Sequence, residues 1–107
     1  MVVQLNIFDE GWAALQEKID AEQKTIDALE AENAQHRKDL AYEEKGLETA
    51  DWRNRKEYED DIYYYKADIA RNNRAIAESK KRITDLRAQQ AKMLQASQQS
   101  TLNQKQK

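Results

Sequence analysis

From Phe8 to Leu47 the chain carries a run of mostly apolar positions spaced alternately by three and four residues without a slip: Phe8, Trp12, Leu15, Ile19, Glu22, Ile26, Leu29, Asn33, His36, Leu40, Glu43 and Leu47. This is a heptad seam, with Trp12, Ile19, Ile26, Asn33, Leu40 and Leu47 at a and the others at d, and it predicts one long amphipathic helix. A second seam is cleaner. Ile62, Ile69, Ile76 and Ile83 fall seven apart at a, with Tyr58, Tyr65, Asn72, Ser79, Leu86 and Met93 at d. From Leu47 to Ile62 is 15 residues, one more than two heptads, so on one unbroken helix the seams would point about 100° apart. The chain is expected to break between them.

Local signals place the ends. Asp9 is a good N-cap, with Phe8 ahead of it able to staple onto Ala13, so helix 1 is expected over about 10–48. Gly46 can supply a left-handed C-terminal cap, and Thr49 or Asp51 can start helix 2, which puts the turn at about 46–52 and helix 2 at about 52–96. Val2, Val3, Leu5, Ile7 and Phe8 make residues 1–8 an apolar, β-prone arm that either adds as an edge strand or packs over the end of its own bundle. Residues 97–107 lose the pattern and read as a Gln-rich flexible tail.

If the helices fold back antiparallel, a positions face d positions when paired residue numbers sum to 105. That register sets Asn33 against Asn72, Leu40 against Tyr65, Leu47 against Tyr58, Leu29 against Ile76, Ile19 against Leu86 and Trp12 against Met93. Charge agrees with it. Net charge is only −2, yet residues 9–32 hold eight acids and two bases while residues 73–96 hold six bases and two acids. Flanking positions then bring Glu30 near Lys80 and Glu44 near Lys66, exposed pairs that favour one orientation by a few tenths of a kcal/mol each, roughly. His36, at d, is expected to face Ile69 in a structural role. Asn33 and Asn72 are expected to set the register.

Composition narrows the chemistry. With no proline, two glycines and 36% charged residues, the chain is an all-α, coiled-coil-like hairpin by composition as well as by pattern. It has no cysteine, which excludes disulfides and thiolate chemistry and fits a reducing cytoplasm. One histidine, and no Glu-x-x-His pair, leaves no metal or cofactor site to propose. Glycine-rich phosphate loops and Gly-x-Ser-x-Gly elbows are missing too. The opening apolar stretch is short for a signal-peptide core and has no basic residue before it, so the chain reads as unprocessed, and no stretch approaches the ~20 apolar residues of a membrane span.

What remains is interaction. Two helices cannot cover both seams, and small or aromatic stripes run beside them: Ala14, Ala21, Ala28 and Tyr42 on helix 1, and Tyr63, Ala70, Ala77 and Ala91 on helix 2. A second hairpin would suit these stripes. Around the turn, Trp52, Tyr58, Tyr63, Tyr64 and Tyr65 stand among Glu57, Glu59, Asp60 and Asp61, a mixture typical of protein-binding hot spots. The expectation is a non-enzymatic, self-associating scaffold, adaptor or assembly factor that binds itself and at least one other protein and takes no small-molecule substrate. The alternative is a small stoichiometric inhibitor that occludes a partner enzyme or nucleic-acid-binding complex. Direct nucleic-acid binding through Arg71, Arg74, Lys80, Lys81, Arg82, Arg87 and Lys92 is a lesser alternative, because helix 1 supplies matching acids.

Overall fold

The computed structural model describes the backbone of residues 2–106 and the side-chain surroundings of residues 8–99. Two helices, α1 (Val2–Thr49) and α2 (Arg55–Gln106), form an antiparallel hairpin, with no strand among the described residues. The fold class is therefore the one the two seams predict. Among the described residues no helix is long and apolar enough to cross a membrane.

Both ends differ from the sequence expectation. α1 begins at Val2, so the β-prone arm is helical and Asp9 lies inside a helix rather than capping one. An N-cap preference amounts to about 1 kcal/mol, and no glycine or proline precedes Asp9 to enforce a start there. Phe8 accordingly stacks on the Trp12 ring, with centroids 5.8 Å apart, instead of stapling onto Ala13. At the other end α2 runs on to Gln106. Seven of the eleven residues in the tail expected to be flexible, 97–107, are Gln, Lys or Leu, which are good helix formers even without a seam to bury, and no glycine or proline interrupts them.

The turn lies at residues 50–54, later than the expected 46–52. Gly46 is helical, and no residue among those described has positive φ, so the left-handed cap expected at Gly46 is not formed. Instead the Thr49 hydroxyl donates to the Gly46 carbonyl (3.4 Å), satisfying one of the orphan acceptors at the end of α1. Asp51 does serve as the entry to α2. Its Oδ1 accepts from the amides of Arg53 (2.9 Å) and Asn54 (3.3 Å), while its carbonyl accepts from Asn54 and Arg55.

Gly46 has a different purpose, which a comparison with Gly11 exposes. A Cβ on Gly46 would lie 2.5 Å from Tyr58 Cε1 and 2.9 Å from its Cζ, so the missing side chain lets the tyrosine ring lie on α1. At Gly11 the nearest atom is the Met93 terminal methyl, at 2.8 Å, which an unbranched thioether can move. Gly11→Ala should then raise stability by about 0.5–1 kcal/mol through helix propensity. Gly46→Ala should lower it by about 1–3 kcal/mol despite the same gain, because a rigid ring must be displaced. Thermal melts of the two variants should move in opposite directions.

Contacts divide the hairpin into two compact units. A turn unit comprises residues 25–78 and an open-end unit residues 1–24 with 79–107. In the turn unit Ile26, Asn33, Asn72 and Ile76 are buried, and Leu29, His36, Leu40, Leu47, Tyr58, Ile62, Tyr65 and Ile69 are half-buried. Ile19, Ser79, Ile83 and Gln90 are buried in the open-end unit, beside half-buried Trp12, Leu15, Leu86 and Met93. Every one of these is an a or d position. Half of the buried residues among those described are polar, so each unit has a thin apolar core interrupted by hydrogen-bonded layers.

Candidate functional site

Those layers define the register. In the turn unit the Asn72 side-chain amide donates to Asn33 Oδ1 (3.0 Å), and Asn33 Nδ2 donates to Asn73 Oδ1 (2.9 Å), so the 33-to-72 pairing is a direct contact. The open-end unit has two layers of its own. Arg82 grips Glu22 with two guanidinium nitrogens (2.7 and 3.3 Å) and donates to the buried Ser79 hydroxyl (3.1 Å). Bonding to Arg82 and then to Ser79 holds the Glu22 carboxyl below the usual carboxylate range. Gln90 Nε2 donates to Gln16 Oε1 (3.1 Å) and towards the Trp12 carbonyl. Among the described residues Glu22 and Arg82 thus supply a cross-helix ion pair, and the expected Glu44–Lys66 pair is not formed.

His36 sits against the Tyr65 ring, with centroids 5.9 Å apart, and is half-buried. Its Nε2 bonds to Glu32 Oε1 (3.3 Å), which places a proton on that nitrogen, and buried Nδ1 has no hydrogen-bond partner. Among the described residues no group of three or more His, Cys, Asp or Glu side chains could hold a metal ion.

The unusual surface belongs to the turn unit. Tyr42, Trp52, Tyr63 and Tyr64 are 73%, 80%, 69% and 65% exposed, and Tyr63 and Tyr64 meet edge to face at 5.6 Å. The Trp52 indole faces outward under the Arg53 guanidinium, 5.3 Å from the ring centroid. Tyr58 and Tyr65 are turned into the seam, as their d positions require. Structure thus divides the five turn-region aromatics into two that pack and three that do not, and adds Tyr42 to the exposed set.

The acids divide as well. Glu59 pairs with Arg55 one helical turn away (3.0 Å), and Asp60 is exposed. Asp61 instead turns towards the seam, where it meets Glu43. Partial burial raises the Glu43 pKa above the usual carboxylate range, and the nearby carboxylates of Asp61, Glu57 and Asp39 raise it further. The Tyr65 phenol is pushed up in the same way, by burial first and then by Asp39, Glu43, Asp61 and Asp68.

A carboxyl whose folded pKa is raised adds stability at pH below its unfolded value, and that contribution disappears as pH rises through the folded value. Glu43 therefore costs stability at neutral pH. Glu43→Gln should melt higher than the parent at pH 7, and the two curves should converge on acidification as Glu43 takes up its proton. Glu22 behaves oppositely, since its lowered pKa gives stability above the usual carboxylate range that is lost as pH falls. A lower melting point for Glu43→Gln at pH 7 would show that the carboxylates do not crowd one another.

Sequence patterning reads Glu43 only as a polar interruption of the seam, and it does not gather Asp39, Glu57 and Asp61 around it. Gln90, three residues short of Met93, is likewise missed as a buried residue, although it continues the a series of Ile62 to Ile83. No protein-family model, curated protein or solved structure matches the chain, so the turn-unit surface is interpreted through its own side chains.

Proposed function

We propose that this chain is a non-enzymatic, self-associating helical protein that acts by binding at least one other protein, as a scaffold, adaptor or assembly factor in a reducing cytoplasm. The observation that carries this reading is the exposure of four aromatic rings, Tyr42, Trp52, Tyr63 and Tyr64, within the turn unit. Rings of this size bury 150–250 Å² each, roughly, when covered. Tyr, Trp and Arg dominate binding hot spots because they bring large contact area with few rotatable bonds. Trp52 under Arg53 joins two of these residue types in a single exposed unit. The half-buried seams support self-association, since much of their apolar surface is still wet in a single hairpin.

A second reading has its own support. Asp39, Glu57, Asp60 and Asp61 beside Tyr42 and Tyr64 would suit a small inhibitor that covers a basic active or nucleic-acid-binding surface. Direct nucleic-acid binding is less well supported, because Arg82 is committed to Glu22 and Arg71 to Asp68.

Affinity purification from the native host tests the proposal, with the parent chain and a Trp52→Ala, Tyr63→Ala, Tyr64→Ala variant as paired baits. A protein retained by the parent and lost with the variant is expected. A repeating assembly points to the scaffold, and a single enzyme or effector complex to the inhibitor. If no protein separates the two baits and the parent stays monomeric at every concentration, the proposal fails.

A further inference from the structure

A proton has opposite consequences in the two units. In the turn unit the buried polar layer is made of amides, Asn33 with Asn72 and Asn73, which carry no ionisable proton. The carboxylates of this unit lie outside that layer. Asp39 and Glu43 on α1 and Glu57 and Asp61 on α2 form an acidic flank, with the Tyr65 phenol near them. Among the described residues none of these four acids has a cation within ion-pair distance. His36, one heptad before Glu43, bonds to Glu32 and lies against the Tyr65 ring. Protons taken up by the flank remove a repulsion.

In the open-end unit a polar layer is itself ionic. Glu22 fills a d position of the seam, is gripped by two guanidinium nitrogens of Arg82, and shares that cation with the buried Ser79 hydroxyl. The groove it lines also holds Lys18 from its own helix and Asp85 from α2, so two carboxylates balance two cations. A proton on Glu22 breaks the ion pair and leaves the cations in excess. The Gln16–Gln90 layer of the same unit is again made of amides, so the Glu22 layer is the one a proton can break. The Glu22 pair contributes stability above the ordinary carboxylate value of 4.5 and loses it as pH falls further. Glu43, held above that value by burial and by its acidic neighbours, has shed its repulsion by then.

We propose that acid opens the hairpin from one end only: the open-end unit releases its seam when Glu22 lets go of Arg82, while the turn unit, relieved of carboxylate repulsion, stays closed. The released seam carries Trp12, Leu15, Ile19, Ile83, Leu86 and Met93, which are buried or half-buried at neutral pH and then face water. Apolar surface is thus exposed on demand without loss of the fold-back, whose register is kept by asparagines that do not titrate.

Distances across each unit test this. Ala13 and Ala91 in the open-end unit and Ala34 and Ala70 in the turn unit are exposed. All four occupy the b position of their seams, so one nitroxide-labelled cysteine pair reports on each unit. Double electron–electron resonance is recorded at pH 7 and at about pH 3.5, below the ordinary carboxylate range. On acidification the 13–91 distance should lengthen by at least one helix diameter, about 10 Å, while the 34–70 distance keeps its value. Glu22→Leu, which fills the d position with an apolar side chain, should hold the 13–91 pair closed at both pH values. His36→Gln, which removes the imidazole of the turn unit, should leave the parental response intact. Two pairs that lengthen together, or a 13–91 pair that does not move, overturn the proposal. So does a 13–91 pair that opens in acid despite Glu22→Leu or stays closed with His36→Gln, since the proton would then act elsewhere.

Discussion

Truncating Ile26 to alanine should lower the free energy of unfolding by about 2–5 kcal/mol, the range for an isoleucine lost from a closed core. Ile26 is 2% exposed and is one of four buried hydrophobic residues among those described. Small domains hold about 5–15 kcal/mol in total, so this change removes a large share of the stability of the turn unit. Ile62→Ala is the internal control. It occupies the same kind of a position but is only half-buried, and less surface returns to water when it is shortened. Urea melts should place Ile26→Ala well below Ile62→Ala. Equal midpoints would mean that the seam is covered evenly and that Ile26 is no special anchor.

The second large effect concerns Asn33, which is 1% exposed. Asn33→Ala removes the acceptor for Asn72 and the donor to Asn73 together. Asn72 stays buried with its amide unsatisfied, a penalty of about 1–3 kcal/mol. Replacing both asparagines by leucine should have the opposite sign, because a buried polar pair is often less stabilising than an apolar one of similar volume. The gain should come at the expense of register. In the parent background, cysteines at Leu40 and Tyr65 should crosslink within one chain and cysteines at Leu40 and Tyr58, one heptad out, should not. With leucine at both 33 and 72, the slipped pair should begin to form. A doubly substituted protein that melts higher and still crosslinks only in register would assign register to the remaining layers, around Glu22, Ser79 and Gln90.

The seams are legible in the sequence because one property, burial along a stripe, determines both the spacing of Ile19, Ile26, Ile76 and Ile83 and their environment. Pairing of Asn33 with Asn72 is legible for the same reason, since antiparallel matching of two repeats leaves little choice. Helix ends are less so. Asp9 and Gly46 each carry a local preference of about 1 kcal/mol, and such preferences lose to neighbours that continue a helix: the Phe8–Trp12 stack in one case and the Tyr58 ring in the other. The acidic flank was hidden for another reason. Carboxylates on a helix ordinarily face water, and whether Asp39 and Asp61 converge on Glu43 depends on how two helices present their flanks to each other, which spacing within either helix does not specify. Tyr42 is similar, because an aromatic beside a seam becomes an exposed patch only once its neighbours on the partner helix are known.

The two tryptophans fall in different units. Trp12, half-buried and stacked on Phe8, belongs to the open-end unit, and Trp52, facing solvent beneath Arg53, belongs to the turn unit. Only the first sits in surroundings that denaturation will change, so intrinsic fluorescence follows the open-end unit while the far-ultraviolet signal follows both. Superimposable fluorescence and far-ultraviolet transitions would describe one cooperative molecule. An emission shift that runs ahead of the loss of helix would mean that the open-end unit melts first, and the protein carries that reporter without any added label.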